Sequence, residues 1–547
     1  MAKQKYTGGM VLTDVTPGLK KKHFTLLGMS FFIYCACAGG AFGIEEMISS
    51  TGPGLTLLLL VLIPIFWGMP IGLYSSELTN LAPTEAGPYV WTKMAFGEFW
   101  GFSMGWWIAM ANYLTGVAYV VLAADYFSLY FPMSAATSFC FKAAIIIAFT
   151  ALNLKGLEEV SIASTIFSVI ILVAFAAVFV VGIMHWDNSP VEPFMAADGL
   201  SSWGTGIAIG VWMYCGYICV SFMGGELENP QMLPKGMKLG IIVIALSYIL
   251  PTLGGIVSTG PWYDWGTSID YSSVLATHVG KWAGMGFMFI AVIGQCAIFN
   301  VAITSSSRSF MVLADDHLCP KFLSKLTKKS KVPYWPILIL AALNLVLMNL
   351  NFEVLVTILS PLLFVLYVGL AFAFYRIRKD YPVDLRGDLY YVKGGKFSEL
   401  FILIGPLVVG AISMVVNGTE YFLLGFLAIV IVVPMYPIFK KMYGGMVVRQ
   451  PDEYPINPKT GLGVGDIRQM SNFFFIFGIV AFVGSFCLVL YSGSWGPAYY
   501  LETYGSGLLS NFWLMINLAR WAGVAMLLLG VIFRFWAKKV EPSEDEE

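Results

Sequence analysis

Long apolar runs separated by short polar stretches recur along almost the whole chain. Each run holds about 20 residues, which is enough for a helix to cross a hydrocarbon core of roughly 30 Å. The pattern predicts an all-α polytopic membrane protein with about fourteen transmembrane helices, called spans 1 to 14 below. The predicted spans lie near residues 25–49, 54–79, 97–130, 135–154, 160–185, 204–227, 237–260, 282–312, 334–350, 354–376, 399–416, 420–439, 470–492 and 511–536.

Spans 1 and 6 carry interruptions that a simple membrane anchor does not need. Span 1 contains three glycines within five residues, and span 6 contains a glycine between two tyrosines. Transporters built from inverted repeats place discontinuous helices at corresponding positions of their two halves. Glycine also serves close packing between membrane helices, which is the alternative for either interruption alone. The predicted substrate-binding residues are Gly39, Gly40, Ala41, Phe42, Gly43, Glu45, Tyr214, Gly216, Tyr217 and Ile218.

Paired helix breaks suit a zwitterionic ligand. The N-terminus of a half-helix offers free N–H groups and a positive dipole end to a carboxylate, while unwound carbonyls accept an ammonium group. Glu45 follows the first break directly. Its carboxylate could meet an amine or carry a proton, or it could cap the second half-helix, and the sequence leaves these roles open.

Composition supports a bilayer environment. Hydrophobic residues make up 58% of the chain and charged residues 12%, against about 25% charged in soluble domains. Lys and Arg are concentrated in the loops 317–333, 377–396 and 440–468, whereas 185–203 and 491–513 contain none. Because positive loops stay in the cytoplasm, we expect a multi-pass protein of the cell membrane with both termini cytoplasmic.

Other chemistry is not indicated by the residues. No nucleophile, acid and base pair or metal-ligand set is concentrated in one place, so we expect no enzyme activity, no metal and no cofactor. Cys215 and Cys219 could share a helix face, but no histidine cluster accompanies them, and small residues commonly fill helix interfaces in membranes. No nucleic-acid partner is expected. Membrane lipid is.

Several motifs in fixed order carry a family likeness. They are Glu77-Leu78-Thr79 with Pro83-Thr84-Glu85-Ala86-Gly87-Pro88-Tyr89, the turn Gly225-Glu226-Leu227-Glu228-Asn229-Pro230-Gln231, and Ser306-Ser307-Arg308 followed by Leu313-Ala314-Asp315-Asp316. With them, the chain resembles the amino acid, polyamine and organocation transporter superfamily.

The resemblance implies a secondary active transporter that works by alternating access. It implies a transport core over 25–376, built from inverted five-helix repeats at about 24–186 and 204–376. Residues 1–24 would form a cytoplasmic tail, and 377–547 four additional helices with a cytoplasmic C-terminal tail. We further predict that Glu226, Glu228 and Arg308, at the ends of spans 6 and 8, form a cytoplasmic gating cluster, with direct contact to the substrate as the alternative.

The resemblance leaves the substrate open. The segment Gly39–Glu45 looks like that of polyamine and cation carriers, yet Ile218 stands where many relatives carry an acid. A polyamine would then bury several charges with few partners, so we expect an amino acid. Polyamine or other organic amine transport, and a non-transporting sensor of the same fold, remain the alternatives. A coupling ion, H⁺ or Na⁺, is the further expected partner.

Overall fold

The computed structural model describes residues 6–7, 10–11, 23–196, 200–222, 224–350 and 352–541. Within these residues, eleven helices are long and apolar enough to cross a membrane. The other three predicted spans are spans 1 and 6, which are interrupted, and span 9, whose helix has 14 residues. The predicted all-helical class, with broken spans 1 and 6, is confirmed.

The helices follow the apolar runs closely. In chain order the spans comprise Leu26–Cys37 and Ile44–Thr51 (span 1), Pro53–Ile63, Pro64–Gly68 and Met69–Leu81 (span 2), Glu98–Tyr130 (span 3), Ala135–Lys155 (span 4), Leu157–Met184 (span 5), Leu200–Met213 and Tyr217–Phe222 (span 6), Met232–Ser258 (span 7), Lys281–Asp315 (span 8), Tyr334–Leu347 (span 9), Phe352–Asp380 (span 10), Gly395–Val416 (span 11), Thr419–Val430 and Val432–Tyr443 (span 12), Asp466–Ser492 (span 13) and Phe512–Val540 (span 14).

Shorter elements connect the spans. They are the strands Tyr6–Thr7 and Met10–Val11, which pair antiparallel, the α-helices Gly87–Phe96, Tyr271–His278 and Gly496–Tyr504, and the 3₁₀ turns Gly224–Glu226, Trp262–Asp264, Lys321–Ser324, Val383–Leu385 and Met446–Val448.

The interior of the bundle is built around spans 3 and 8. These two long helices pack against each other along their length, and most of their side chains are buried. Spans 4 and 14 lie at the periphery, where apolar side chains such as Ile147 and Trp521 remain exposed. Exposed apolar side chains on the outer helices are expected where lipid replaces water.

Contacts between loops define two faces. The first, called the basic face, carries the Lys-rich loops: Gly445 N–H donates to the His317 carbonyl at 2.9 Å. His23, just before span 1, and Glu541, just after span 14, also lie there, since His23 contacts Glu228 and Glu541 accepts from the N–H of Ile467. The opposite face carries the loops 185–196 and 259–270.

Candidate functional site

The break in span 1 separates two helical segments. The first ends at Cys37 and the second begins at Ile44. Between them Gly39, Gly40 and Gly43 have φ angles of +51°, +120° and +92°. Residues with a Cβ rarely adopt such angles, so the path of the chain at this break depends on glycine.

The Glu45 side chain serves the second segment of span 1. Glu45 is buried, and its Oε2 accepts a hydrogen bond from the backbone N–H of Gly43 at 2.8 Å. A carboxylate in the first turn also interacts favourably with the helix dipole. The capping role that the sequence left open for Glu45 therefore has a contact in the structure.

The break in span 6 is centred on Gly216. The α-helix ends at Met213, and a 3₁₀ turn begins at Tyr217. Gly216 has a φ of +96°, and its N–H donates to the hydroxyl of Tyr367 in span 10 at 3.0 Å. Span 10 thus satisfies a backbone group that the broken helix leaves without a helical partner.

The two breaks touch each other. The thiol of Cys37 donates to the carbonyl oxygen of Cys215 at 2.6 Å. A Cβ placed on Gly216 would lie 2.5 Å from the carbonyl oxygen of Ala36, closer than real Cβ contacts allow. The close approach of the two backbones therefore requires glycine at position 216.

A small cavity lies beside this contact. Its volume is about 40 Å³, against roughly 300–1,000 Å³ for typical small-molecule sites. The space therefore holds a few waters at most. The lining residues are Ala36, Cys37, Ile108, Ala111, Asn112, Thr115, Tyr119, Cys215, Gly216, Ile218, Cys219, Phe222, Ile298, Ala302, Leu363, Leu366 and Tyr367.

The cavity wall is polar on one side and carries no charged side chain. Asn112, Thr115 and Tyr119 supply polar groups from one face of span 3, while spans 8 and 10 supply mainly apolar ones. The amide Nδ2 of Asn112 is buried and has no hydrogen-bond partner among the described residues. Because an unmade buried hydrogen bond is unfavourable by about 1–3 kcal/mol, this group is suited to an acceptor atom of a ligand.

The structure places only some of the predicted binding residues at the cavity. Gly216 and Ile218 line the cavity, whereas the segment 39–43 and Glu45 do not. The Phe42 ring packs on Tyr126, Phe175 and Phe287, with centroid distances of 5.3, 5.0 and 6.1 Å. Phe42 therefore packs into an aromatic cluster outside the cavity lining.

Tyr214 and Tyr217 also lie outside the cavity lining. The Tyr214 hydroxyl donates to the Leu60 carbonyl in span 2 at 2.9 Å. The Tyr217 ring packs on Gly68, also in span 2. In this structure both rings therefore pack between helices.

The predicted gating residues are only partly brought together. Arg308 donates from Nε and Nη2 to the carboxylate of Glu226 at 2.8 and 3.2 Å, and both side chains are buried. Glu228 is outside this pair and contacts His23 at the surface, at 3.2 Å. The Arg308–Glu226 pair lies between the cavity and the basic face.

A buried ion cluster that the sequence analysis missed surrounds Glu77 in span 2. Its carboxylate accepts from Arg378 Nε at 2.8 Å, from Arg386 Nη1 at 2.7 Å and from the N–H of Val392 at 2.7 Å. Arg378 also contacts Glu399 at 3.0 Å. The cluster ties span 2 to span 10 and to span 11.

Two further ion clusters lie at the basic face. Lys440 pairs with Glu98 and lies 3.3 Å from Asp466. Asp316, at the end of span 8, pairs with Lys93 and with Arg449, the latter at 3.0 Å. Lys440 thus joins span 12 to the starts of spans 3 and 13, and Asp316 joins the end of span 8 to the helix Gly87–Phe96 and to the connection between spans 12 and 13.

Comparisons with known proteins agree with this architecture. Residues 24–445 match the family model described as amino acid permease. A probable polyamine transporter of Arabidopsis thaliana is 28% identical over 77% of this chain and 87% of the relative. The polyamine transporter RMV1 of the same plant is 26% identical over 77% of this chain and 86% of the relative. The crystal structure of MhsT in complex with L-phenylalanine shares the fold, with a TM-score of 0.53 and 15% identity over 75% of this chain and all of that one.

The helical multi-pass fold and the two touching helix breaks define a membrane permease for a small molecule. The chain belongs to the amino acid permease family, whose model covers the whole of spans 1 to 12. This family and the matched relatives are transporters rather than enzymes.

Proposed function

We propose that this protein is a secondary active transporter that moves an α-amino acid across the cell membrane by alternating access. The observation that carries the proposal is the uncharged cavity beside two touching helix breaks. A zwitterion brings its own opposite charges, and half-helix ends with unwound carbonyls can pair with both of them. The apolar wall from spans 8 and 10 favours a neutral side chain.

A second candidate function is the transport of a polyamine. It is favoured by the names of the matched relatives, several of which are described as polyamine transporters. Against it, a polyamine carries several positive charges, and each charge that is buried without a partner is strongly unfavourable. No carboxylate lines the cavity, and Glu45 is engaged with Gly43.

Flux in proteoliposomes tests the proposal. Uptake of labelled neutral amino acids is expected, and an inward gradient of Na⁺ or of protons should drive accumulation. Spermidine should compete weakly. Strong competition by spermidine with no amino acid uptake would favour the polyamine candidate, and binding without any flux would favour a sensor.

Replacing Asn112 by Leu is expected to weaken amino acid binding about threefold to tenfold, because one hydrogen bond to the ligand is lost. The stability of the ligand-free protein should stay equal or rise, since an unpaired buried amide disappears. Titration by thermal shift measures both quantities. Asn344→Leu is the matched control, because the Asn344 amide is also buried without partners but lies in span 9, outside the cavity. If Asn112→Leu binds the amino acid as tightly as Asn344→Leu does, Asn112 does not contact the ligand.

The buried pair Arg308–Glu226 is proposed to hold the cavity closed toward the basic face. Glu226→Gln should weaken the closed state, so a membrane-impermeant maleimide added from that side should alkylate Cys219 in the cavity faster. Glu228→Gln is the control, because Glu228 is outside the pair. An unchanged alkylation rate at Cys219 in Glu226→Gln would contradict this role.

The basic face is proposed to be cytoplasmic, in accord with the distribution of Lys and Arg. Cysteines introduced at the exposed positions Lys328 and Asp187 should then label from the inside and the outside, respectively. Replacing Cys140 and Cys487 by Ser removes the native thiols that are not buried. Labelling of both introduced cysteines from outside would overturn this orientation.

A further inference from the structure

Gln295 of span 8 is a buried residue whose amide has no partner. Gln295 is 1% exposed, and neither its Nε2 nor its Oε1 forms a hydrogen bond with any residue that the structure describes. Buried amides are almost always hydrogen-bonded, because leaving such a group unpaired is unfavourable. The unused amide therefore indicates a partner from outside the chain.

The position of Gln295 on span 8 places it on the face that forms part of the cavity wall. Span 8 contributes Ile298 and Ala302 to this wall. Gln295 precedes them by three and seven residues, and residues at this spacing share one face of an α-helix. Gln295 therefore lies one turn beyond the present lining, on the side of the opposite face.

The same turn of span 8 touches the break in span 1. A Cβ placed on Gly294 would lie 2.2 Å from the carbonyl oxygen of Gly39. A Cβ placed on Gly39 would in turn lie 2.4 Å from the side chain of Ile298. Gln295 lies between Gly294 and Ile298 in the chain, so it is positioned where span 8 meets the unwound backbone of span 1.

Span 3 packs against this part of span 8. A Cβ placed on Gly116 would lie 3.4 Å from the Cβ of Ala302, and the ring of Phe127 lies 6.1 Å from that of Phe289. The two helices therefore run antiparallel, and Gln295 is level with the part of span 3 between Gly116 and Phe127. Spans 1, 3 and 8 thus surround the end of the cavity at which Gln295 lies.

A glutamine amide can pair with both charged groups of an amino acid. Its Nε2 can donate to a carboxylate oxygen, and its Oε1 can accept from an ammonium group. A simple amine offers only donors, so it would leave Nε2 unpaired. A site that hydrogen-bonds one group of its ligand discriminates strongly against analogues that lack this group.

We propose that Gln295 binds the α-ammonium and α-carboxylate groups of the substrate and thereby selects amino acids over the corresponding amines. This inference rests on the proposed transport of an α-amino acid. Backbone groups at the breaks attract the two charges, and the neutral amide pairs fully only when both are present. The cavity widens when it admits a substrate, and Gln295 is the next residue of its wall on span 8.

Binding of L-leucine and L-phenylalanine, each compared with the amine that lacks its carboxylate, tests the proposal. Dissociation constants are measured by calorimetry on the purified full chain. Gln295→Met keeps the length of the side chain but removes the amide. It should raise the dissociation constant of the amino acids about tenfold and that of the amines only about threefold, because two hydrogen bonds are lost in the first case and one in the second.

Asn344→Leu is the matched control for Gln295→Met. Asn344 is also a buried amide with two unpaired atoms, but it lies in span 9, outside the cavity. This variant should change neither constant. Both variants should be at least as stable as wild type, since each removes an unpaired buried amide.

Two results would overturn the role of Gln295 while leaving the proposed function intact. The first is that Gln295→Met binds amino acids as wild type does. The second is that it weakens amino acids and amines by the same factor, as a merely structural change would. If wild type instead binds neither amino acid, or prefers the amines, the proposed function itself is wrong and the selection by Gln295 falls with it.

Discussion

Replacing Glu77 by Gln is expected to lower the free energy of unfolding by about 3–5 kcal/mol, because buried charges lose their partner. The Glu77 carboxylate is fully buried and pairs with both Arg378 and Arg386, of which Arg386 is also fully buried. Glutamine keeps the shape of the side chain but removes its charge. Thermal unfolding in detergent, followed by size-exclusion chromatography, should show a large fall in the unfolding midpoint.

Glu399→Gln is the matched control for this result. Glu399 contacts the same Arg378 at 3.0 Å, but its side chain is 25% exposed. Partly solvated pairs contribute only about 0–1 kcal/mol, so the midpoint should hardly move. Adding Arg386→Met to Glu77→Gln should recover part of the loss, since one unpaired guanidinium disappears. Equal midpoints for Glu77→Gln and Glu399→Gln would show that the cluster does not stabilise the fold.

Gly216→Ala is expected to reduce substrate binding and transport at least about tenfold, since left-handed backbone is unfavourable by roughly 1–2 kcal/mol for residues with a Cβ. The added methyl group would also lie 2.5 Å from the Ala36 carbonyl oxygen and 3.0 Å from the Cys37 Cα. The two broken helices would have to separate. Uptake into proteoliposomes and ligand-induced thermal shifts measure the loss.

Gly286→Ala provides the control for a glycine of span 8. A Cβ at position 286 would meet nothing within 4 Å, and alanine is favoured over glycine in a helix. This variant should transport as wild type does. Transport is compared only between monodisperse preparations, so that a misfolded variant is not mistaken for an inactive one. Wild-type transport by Gly216→Ala would place the substrate site away from the breaks.

The sequence predicted the spans well because apolar length alone determines them. The helices in the structure begin and end within several residues of the predicted runs, and both interruptions occur at the predicted glycines. Glycine clusters are a local signal that needs no knowledge of neighbours. The repeat boundaries and the roles of the binding residues stay predictions.

The lining of the cavity was harder to predict because hydropathy does not specify the rotation of a buried helix. Tyr214 and Tyr217 flank the break, yet packing directs both toward span 2. Asn112, Thr115 and Tyr119 were missed, although polar residues three to four positions apart in an apolar span share a helix face. That spacing was the available signal.

The ion clusters could not be predicted from local sequence. Glu77 and Arg378 are 301 positions apart, and only the packing of spans 2 and 10 brings them together. The separation of Glu228 from the Arg308–Glu226 pair has a related cause, and the gating role of all three residues stays a prediction. Glu226 and Glu228 are two residues apart in a turn, and only Glu226 is directed toward span 8.

The ion clusters at the basic face limit where the protein can be truncated for expression. The family match stops at residue 445, but Met446 N–H donates to Glu98 at 3.0 Å, and Arg449 and Asp466 contact Asp316 and Lys440. A protein truncated at the end of the family match would lose the partners of Glu98, Asp316 and Lys440. The boundary of similarity is therefore not a boundary of folding, and the last two helices belong in any minimal recombinant protein.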